Sequence, residues 1–317
     1  MNYLVTGGAG FIGSNIVEEL VARGERVRVL DNFSTGKRAN IAPFATRIEC
    51  IEGDIRELAT VRAAVAGMDF VLHQAALPSV PRSIEDPVGS NETNVCGTLN
   101  VLVAARDAKV KRVVYAASSS AYGNIKVSPK REDLPTQPAS PYAVAKLTGE
   151  YYCRVFAGVY GLETVCLRYF NVFGPRQDPR SLYAAVIPRF INALLDGERP
   201  TIYGDGEQTR DFTFVANVVA ANLLACTAPK VGGGLYNIAC GESISLLQVC
   251  KELQRMLRSK LEPVFEPARA GDVKHSLADI GAARAALGYA PQVPFHDGLA
   301  RTVEYFKAVH QSNKPQR

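Results

Sequence analysis

The sequence holds no Cys-x-x-Cys pair: its seven cysteines stand apart and its four histidines form no cluster beside them. No metal site is expected from such spacings, and an odd number of isolated cysteines reads as reduced core thiols rather than as a disulfide framework. No apolar run approaches the length needed to span a bilayer. There is no internal repeat and no low-complexity tract. Charge of one sign is also missing, because the net charge of +5 is spread over scattered lysines and arginines. That excludes a nucleic-acid surface and leaves anionic small substrates compatible. The chain opens Met1-Asn2-Tyr3-Leu4-Val5, already reading as a buried strand, with no room for a charged segment and apolar core of a secretory signal. The expectation is a soluble, cytoplasmic protein.

What is present is ordinary globular composition, 47% hydrophobic and 21% charged over 317 residues, enough for one large domain or two modest ones. The first half alternates short apolar runs with amphipathic stretches, the pattern of a parallel sheet with crossover helices. Strands are predicted at 3–6, 27–30, 48–52, 70–73, 113–116 and 164–167, and helices at 12–23, 58–65, 93–108 and 141–160. After Phe173 the loop Gly174-Pro175-Arg176-Gln177-Asp178-Pro179 changes the texture. Helices are predicted there at 184–196, 216–226, 246–258, 280–287 and 295–309. The expected organisation is α/β, with a doubly wound domain over 1–173, a smaller, mixed and mostly helical lobe over 174–317, and some exchange of chain between them. The cleft between the two would hold ligand.

Thr6-Gly7-Gly8-Ala9-Gly10-Phe11-Ile12-Gly13 joins the first predicted strand to the first predicted helix. Glycines at 7, 10 and 13 allow a tight turn, close approach to a pyrophosphate and packing of helix on sheet, and a helix N-terminus favours the anion. Asp31 ends the next strand about 20 residues on, where a carboxylate accepts from ribose hydroxyls and repels a 2′-phosphate. NAD is therefore expected over NADP, with Lys37 and Arg38 close by. Asp54-Ile55 and Gln74-Ala75-Ala76-Leu77 fall at the ends of the third and fourth strands, where ligand loops gather.

Tyr142 and Lys146 stand at i and i+4 of one predicted helix and so share a face. A neighbouring ammonium stabilises a phenolate and draws its pKa, ordinarily about 10, toward neutrality. The pair reads as a base beside a hydride acceptor.

With these residues the chain resembles the extended short-chain dehydrogenase/reductase family and, within it, the nucleotide-sugar 4-epimerases. The resemblance runs from Thr6 to about Tyr289 through His73-Gln74-Ala75-Ala76, Ser118-Ser119-Ser120-Ala121-Tyr122-Gly123, Tyr142 to Lys146, Leu167-Arg168-Tyr169-Phe170-Asn171-Val172-Phe173-Gly174, Arg210-Asp211-Phe212 and Gly271-Asp272-Val273. Ser79-Val80-Pro81-Arg82-Ser83, Arg176-Gln177-Asp178-Pro179 and His275-Ser276-Leu277-Ala278-Asp279 are most similar to epimerases of UDP-N-acetylhexosamines.

The resemblance implies a Rossmann-type fold and the following roles. Ser118, Tyr142 and Lys146 would be catalytic: Tyr142 the base, Lys146 lowering its pKa and holding the nicotinamide ribose, Ser118 bonding the reacting hydroxyl, with the shares of Ser119 and Ser120 open. NAD would meet Gly7, Gly10, Phe11, Ile12, Gly13, Asp31, Asn32, Ser34, Gly36, Asp54, Ile55, Gln74, Ala75, Ala76, Thr93, Tyr142, Lys146, Tyr169 and Val172. Asn171, Arg210 and Arg269 would hold the UDP moiety and Val186 and Tyr203 its uracil. Ser79, Ser118, Ser119, Tyr142, Gln177, Ala185, Asp272 and Ser276 complete the substrate set.

Dehydratases of the family carry Asp-Glu directly after the catalytic hydroxyl, where this chain has Ser119 and Ser120. Ser276 matches a position where a bulky tyrosine excludes a 2-N-acetyl group and a small residue admits it. Pro78 departs from the glycine of acetamido-preferring relatives. The implied activity is NAD-dependent 4-epimerisation of UDP-N-acetylglucosamine and UDP-N-acetylgalactosamine, with UDP-glucose and UDP-galactose also accepted. Epimerisation of UDP-glucuronate, with Arg82 or Arg180 meeting the carboxylate, UDP-glucose 4-epimerisation, and a catalytically silent NAD-binding scaffold are the alternatives. Family habit further implies a homodimer built on the helices at 93–108 and 142–160.

Overall fold

Seven parallel strands form the main sheet of the computed structural model, which describes residues 1–178, 185–268 and 274–312. They are β1 (Asn2–Thr6), β2 (Arg26–Asp31), β3 (Ile48–Glu52), β4 (Phe70–His73), β5 (Arg112–Ser118), β6 (Thr164–Tyr169) and β7 (Gly234–Ile238), in the spatial order 7-6-5-4-1-2-3. Val5 of β1 pairs with Val29 on one side and Leu72 on the other. The order reverses between β1 and β4, so their carboxyl ends open a crevice where ligands of doubly wound sheets bind.

The central strands are continuous apolar runs because helices cover both faces. Those helices include α1 (Phe11–Ala22), α2 (Leu58–Val65), α3 (Gly97–Asp107) and α4 (Pro141–Tyr160). Helix α4 has a clear local cause: Ser140 caps it by accepting from the Ala143 N–H at 3.2 Å, Pro141 occupies its first turn and Gly161 ends it at a φ of 68°. A π-helical turn, Glu92–Cys96, leads into α3, so the single predicted helix at 93–108 is two geometries in series.

Beyond Phe173 the chain forms α5 (Val186–Asp196), α6 (Val215–Thr227), α7 (Leu246–Leu257), α8 (Gly281–Leu287) and α9 (Phe295–Ser312). Three small sheets accompany them: Val172–Phe173 with Thr213–Phe214, Ile244–Ser245 with Thr209–Arg210 and His275–Ser276, and Thr201–Tyr203 with Val264–Glu266. Strands of two or three residues carry no readable period, which is why the sequence shows only helices here. β7 escaped for a related reason: it is an edge strand, only partly buried over its first three residues.

Arg112 welds the two regions. Its Nη1 donates to the carbonyls of Ala225, Cys226 and Ala228 at the end of α6, at 2.7, 3.0 and 2.8 Å, while its Nε donates to Glu163 at 2.9 Å. A cation thus meets the negative end of a helix and its unsatisfied carbonyls. Phe173, Phe212, Phe214 and Phe295 pack together with ring centroids 5.5–6.3 Å apart, joining the small sheets to α9. Among the described residues no helix is long and apolar enough to cross a membrane.

Candidate active site

The glycine turn sits at the switch point. Gly7 has a φ of 66°, and a Cβ there would lie 2.7 Å from the Ala75 nitrogen. A Cβ on Gly13 would lie 2.1 Å from the Gly7 carbonyl oxygen. Only bare backbone allows the turn, α1 and the loop after β4 to approach this closely. Gly10, Phe11 and Ile12 complete the turn and begin α1, leaving a cradle a side chain would fill, which fits a pyrophosphate.

Asp31 ends β2 and is held by two backbone donors, Ala9 N–H at 2.9 Å and Phe33 N–H at 2.8 Å. Burial raises its pKa while those two bonds lower it. Gly36 lies against its carboxylate. Asn32 bonds Asp54 at 2.8 Å and accepts from the Ser34 N–H at 3.1 Å, so the ends of β2 and β3 are tied side by side. Arg56 chiefly, with Asn32, holds the Asp54 carboxyl down at about 2. Lys37, flanking this edge, pairs with Asp178 at 3.1 Å. Ile55 is core, packed beneath Gly97.

The loop Gln74–Leu77 is pinned from below by a buried relay. The Ala75 N–H donates to Thr6 Oγ1 at 3.2 Å, and Thr6 Oγ1 lies 2.7 Å from His73 Nδ1. His73 Nε2 lies 3.0 Å from Thr98 Oγ1, whose hydroxyl donates to the Asn94 carbonyl at 2.7 Å. With the Thr98 hydroxyl hydrogen so committed, His73 donates through Nε2 and accepts through Nδ1. Burial first, and then the charge of Lys146, push the imidazole down to about 3. Asn94 finishes the job by bonding both the N–H and the C=O of Leu77, at 2.8 and 3.1 Å. Thr93 occupies the adjacent π-helical turn.

Gln74 and Tyr169 bond Asn222 of α6 and one another, with Tyr169 Oη 3.1 Å from Asn222 Oδ1 and Gln74 Nε2 donating to the same oxygen at 3.0 Å. Their polar ends are already engaged within the protein.

Ser118 ends β5, and the turn Ser119–Tyr122 follows it. Ser118 Oγ accepts from the Ser120 N–H at 3.2 Å and from the Ser120 hydroxyl at 2.8 Å, so its own hydrogen is free to donate to Tyr142. The side-chain bond between Ser118 and Tyr142 lowers the phenol's pKa, whereas the larger effect of burial raises it. Lys146, expected to pull this phenol down, does not offset its burial. Lys146 Nζ is instead turned to the Ala116 carbonyl, at 2.8 Å, with the Tyr115 ring 5.0 Å away. Burial lowers the ammonium to about 8, so it keeps its proton at neutral pH with two hydrogens to spare.

The backbone N–H of Tyr142 donates to Ser83 Oγ at 3.0 Å, and Ser83 Oγ donates to the Val80 carbonyl at 2.7 Å. Ser83 thereby ties the short helix Val80–Glu85 to the start of α4. Ser79 caps that helix at a φ of 106°, a costly conformation for a residue with a Cβ. No spacing could reveal Ser83, which lies 59 residues from its partner.

A cavity of about 160 Å³ opens just past β6, where Asn171, Val172 and Phe173 line it. It gathers Asn171, Val172, Ala185, Val186, Tyr203 and Arg210 from four separate places in the sequence. Val172, expected on the cofactor, lines this cavity. Arg189, Gln208 and Leu246 line it too and carry no sequence signal of their own. Ser276 pairs with Arg210 across the small sheet, next to the cavity wall. Gln177 reaches back to the Val172 carbonyl at 3.1 Å. Arg180, Arg269 and Asp272 lie outside the described residues. Among the described residues no cluster of three or more histidine, cysteine, aspartate or glutamate side chains could hold a metal.

Residues 3–239 match the NAD dependent epimerase/dehydratase family. UDP-glucose 4-epimerase of Mycolicibacterium smegmatis is 39% identical over 320 residues, covering 98% of this chain and all of the relative. The solved UDP-N-acetylglucosamine 4-epimerase from Methanobrevibacter ruminantium, in complex with UDP-N-acetylmuramic acid, is 40% identical, covers 97% of this chain and 98% of its own, and superposes with a TM-score of 0.93. Thermus thermophilus UDP-glucose 4-epimerase in complex with NAD is 38% identical over 97% of this chain and 99% of its own, with a TM-score of 0.88. The glycine cradle and the buried Asp31 fit the cofactor that this family uses. By the match across most of its length, the chain belongs to the NAD dependent epimerase/dehydratase family.

Proposed function

We propose that the protein is a UDP-hexose 4-epimerase that interconverts UDP-N-acetylglucosamine with UDP-N-acetylgalactosamine and also accepts UDP-glucose and UDP-galactose. The observation that carries this reading is the convergence of Ser118, Tyr142 and Lys146 where no carboxyl group flanks Ser118. Ser118 holds the hydroxyl at carbon 4 against Tyr142, which takes its proton as the phenolate that the Ser118 bond and the Lys146 ammonium favour. The chemistry supplied by NAD when bound is reversible uptake of a hydride from carbon 4. Tyr142 returns the proton to the transient 4-keto sugar after the ring has turned over. Elimination would need a further acid and base, and Ser119 and Ser120 supply neither.

Gly7, Gly10 and Gly13 would cradle the pyrophosphate of NAD, Asp31 its adenosine ribose, and Lys146 its nicotinamide ribose. Asn171, Arg210, Val186 and Tyr203 would anchor UDP in the cavity they share, leaving the sugar loosely enough held to rotate. Ser276, beside Arg210 and without bulk, leaves room for a 2-acetamido group. Incubation with NAD and UDP-N-acetylglucosamine, UDP-N-acetylgalactosamine, UDP-glucose, UDP-galactose and UDP-glucuronate, followed by separation of 4-epimers, tests the reading. Acetamido sugars should turn over at least as well as the unsubstituted pair. Conversion of UDP-glucuronate alone would replace it with the uronate reading, and no product from any sugar with the scaffold.

The same reading includes a homodimer. On α4, Val144, Tyr151, Val155 and Val159 form an outward stripe at helical spacing and are 50, 56, 49 and 70% exposed. Such a face on both copies is self-complementary. Light scattering should report about twice the 34.3 kDa chain mass, and Val155→Glu with Val159→Glu should yield monomer. A wild-type monomer would remove the dimer from the proposal.

A further inference from the structure

Arg168 and Glu150 form a buried ion pair behind the site, 2% and 6% exposed, that no step above uses. Arg168 Nε donates to Glu150 Oε1 at 2.9 Å and its Nη2 to Oε2 at 2.7 Å, a two-point grip. Glu150 lies one turn after Lys146 and two after Tyr142 on α4, and all three belong to one side of that helix. The Arg168 guanidinium also lies 4.6 Å over the Tyr122 ring. Tyr122 closes the turn that begins at Ser119, directly after Ser118. One side chain therefore touches both elements that supply the three candidate catalytic groups. Strand register adds to this, since Arg168 pairs with Ala117 of β5, next to Ser118.

We propose that Arg168, gripped by Glu150, is a positioning residue that sets the serine turn against the Tyr142 helix and keeps the Glu150 charge behind Lys146. The inference rests on the epimerase reading. Lys146 is faced by Tyr142, Glu150 and Cys153 from its own helix, by the Tyr115 ring and the Ala116 carbonyl from β5, and by neutral His73 from β4. Burial raises the Glu150 carboxyl while its bonds to Arg168 lower it, and Cys153 and then Glu150 favour the protonated ammonium against its burial. Both Glu150 oxygens are taken by Arg168, which leaves the Lys146 hydrogens for ligands.

The test uses the full chain with NAD and whichever UDP-sugar pair it converts. In Glu150→Gln/Arg168→Met, which removes both charges together and so strands neither, kcat should fall about 10- to 100-fold, as for an ångström-scale misplacement. KM and cofactor content should stay near wild type. The alkaline limb of the kcat profile should move to lower pH, because Lys146 loses the Glu150 charge that favours its proton. Should that variant fail to fold, Arg168→Lys keeps the charge but loses the two-point grip and the stacking, and the same fall in kcat is expected. Wild-type kcat in a folded variant of either kind overturns the inference. An unmodified protein without product defeats the epimerase reading instead, so the two failures are distinct.

Discussion

Tyr142→Phe should abolish epimerisation while leaving NAD bound. The variant keeps the ring, its packing on α4 and the Tyr142 N–H bond to Ser83, and removes only the oxygen that Ser118 engages. Loss of a positioned proton carrier costs about 10²- to 10⁴-fold in rate, and here the same group must both take and return the proton, so kcat should fall about 10³-fold or more. The cofactor cradle is built from Gly7, Gly13, Asp31 and the Gln74–Leu77 loop, and none of these touches the phenol oxygen. Turnover by separated 4-epimers, together with the NAD content of the purified protein, checks both halves. Activity within tenfold of wild type would refute Tyr142 as the base.

Acid should weaken the fold through His73, by about 2 kcal/mol between pH 7 and pH 5 from this residue alone. The sign follows from the buried neutral imidazole. Its native pKa of about 3 lies below the ordinary value of 6.5, so the unfolded chain binds a proton that the native state refuses. The stabilisation is complete above 6.5 and is lost progressively as pH falls toward 3. Asp211 works the other way. Burial raises it to about 6, against backbone donors at Cys240, Gly241 and Ala278, so it favours the native state as pH falls through 6. Urea unfolding of wild type and His73→Gln at both pH values separates the two, since Asp211 is common to both proteins. The wild type should lose about 2 kcal/mol more than the variant on acidification, and equal losses would show that His73 is not the titrating group.

The glycine turn, Asp31 and the Tyr142–Lys146 pair were legible because each depends on near neighbours in sequence. A β-strand, a tight turn and a helix N-terminus succeed one another within a dozen residues, and i and i+4 share a helix face whatever surrounds it. The first six strands showed for the same reason, the central ones as apolar runs covered on both faces and those toward the β3 edge by alternation. β7 and the small sheets did not, since short strands paired across 34 or more residues leave no local pattern; Gly234 pairs with Val165, and Ile244 with Arg210.

Electrostatics separated most sharply from sequence. Spacing alone puts an ammonium near a phenol, yet burial of both groups and the Ala116 carbonyl decide where the protons sit. The contacts that Ser83, Asn94, Glu150 and Arg168 make are equally silent in one dimension, since they join separate segments.

The sequence by itself determined the fold class, the glycine cradle and the shared helix face of Tyr142 and Lys146, because local backbone demands and helical periodicity are written in consecutive residues. Only the tertiary structure decided which serine is the hub, where Lys146 directs its hydrogen, and which residues share the cavity. Those outcomes depend on desolvation and on contacts closed by long loops, and both exist only once the chain has packed.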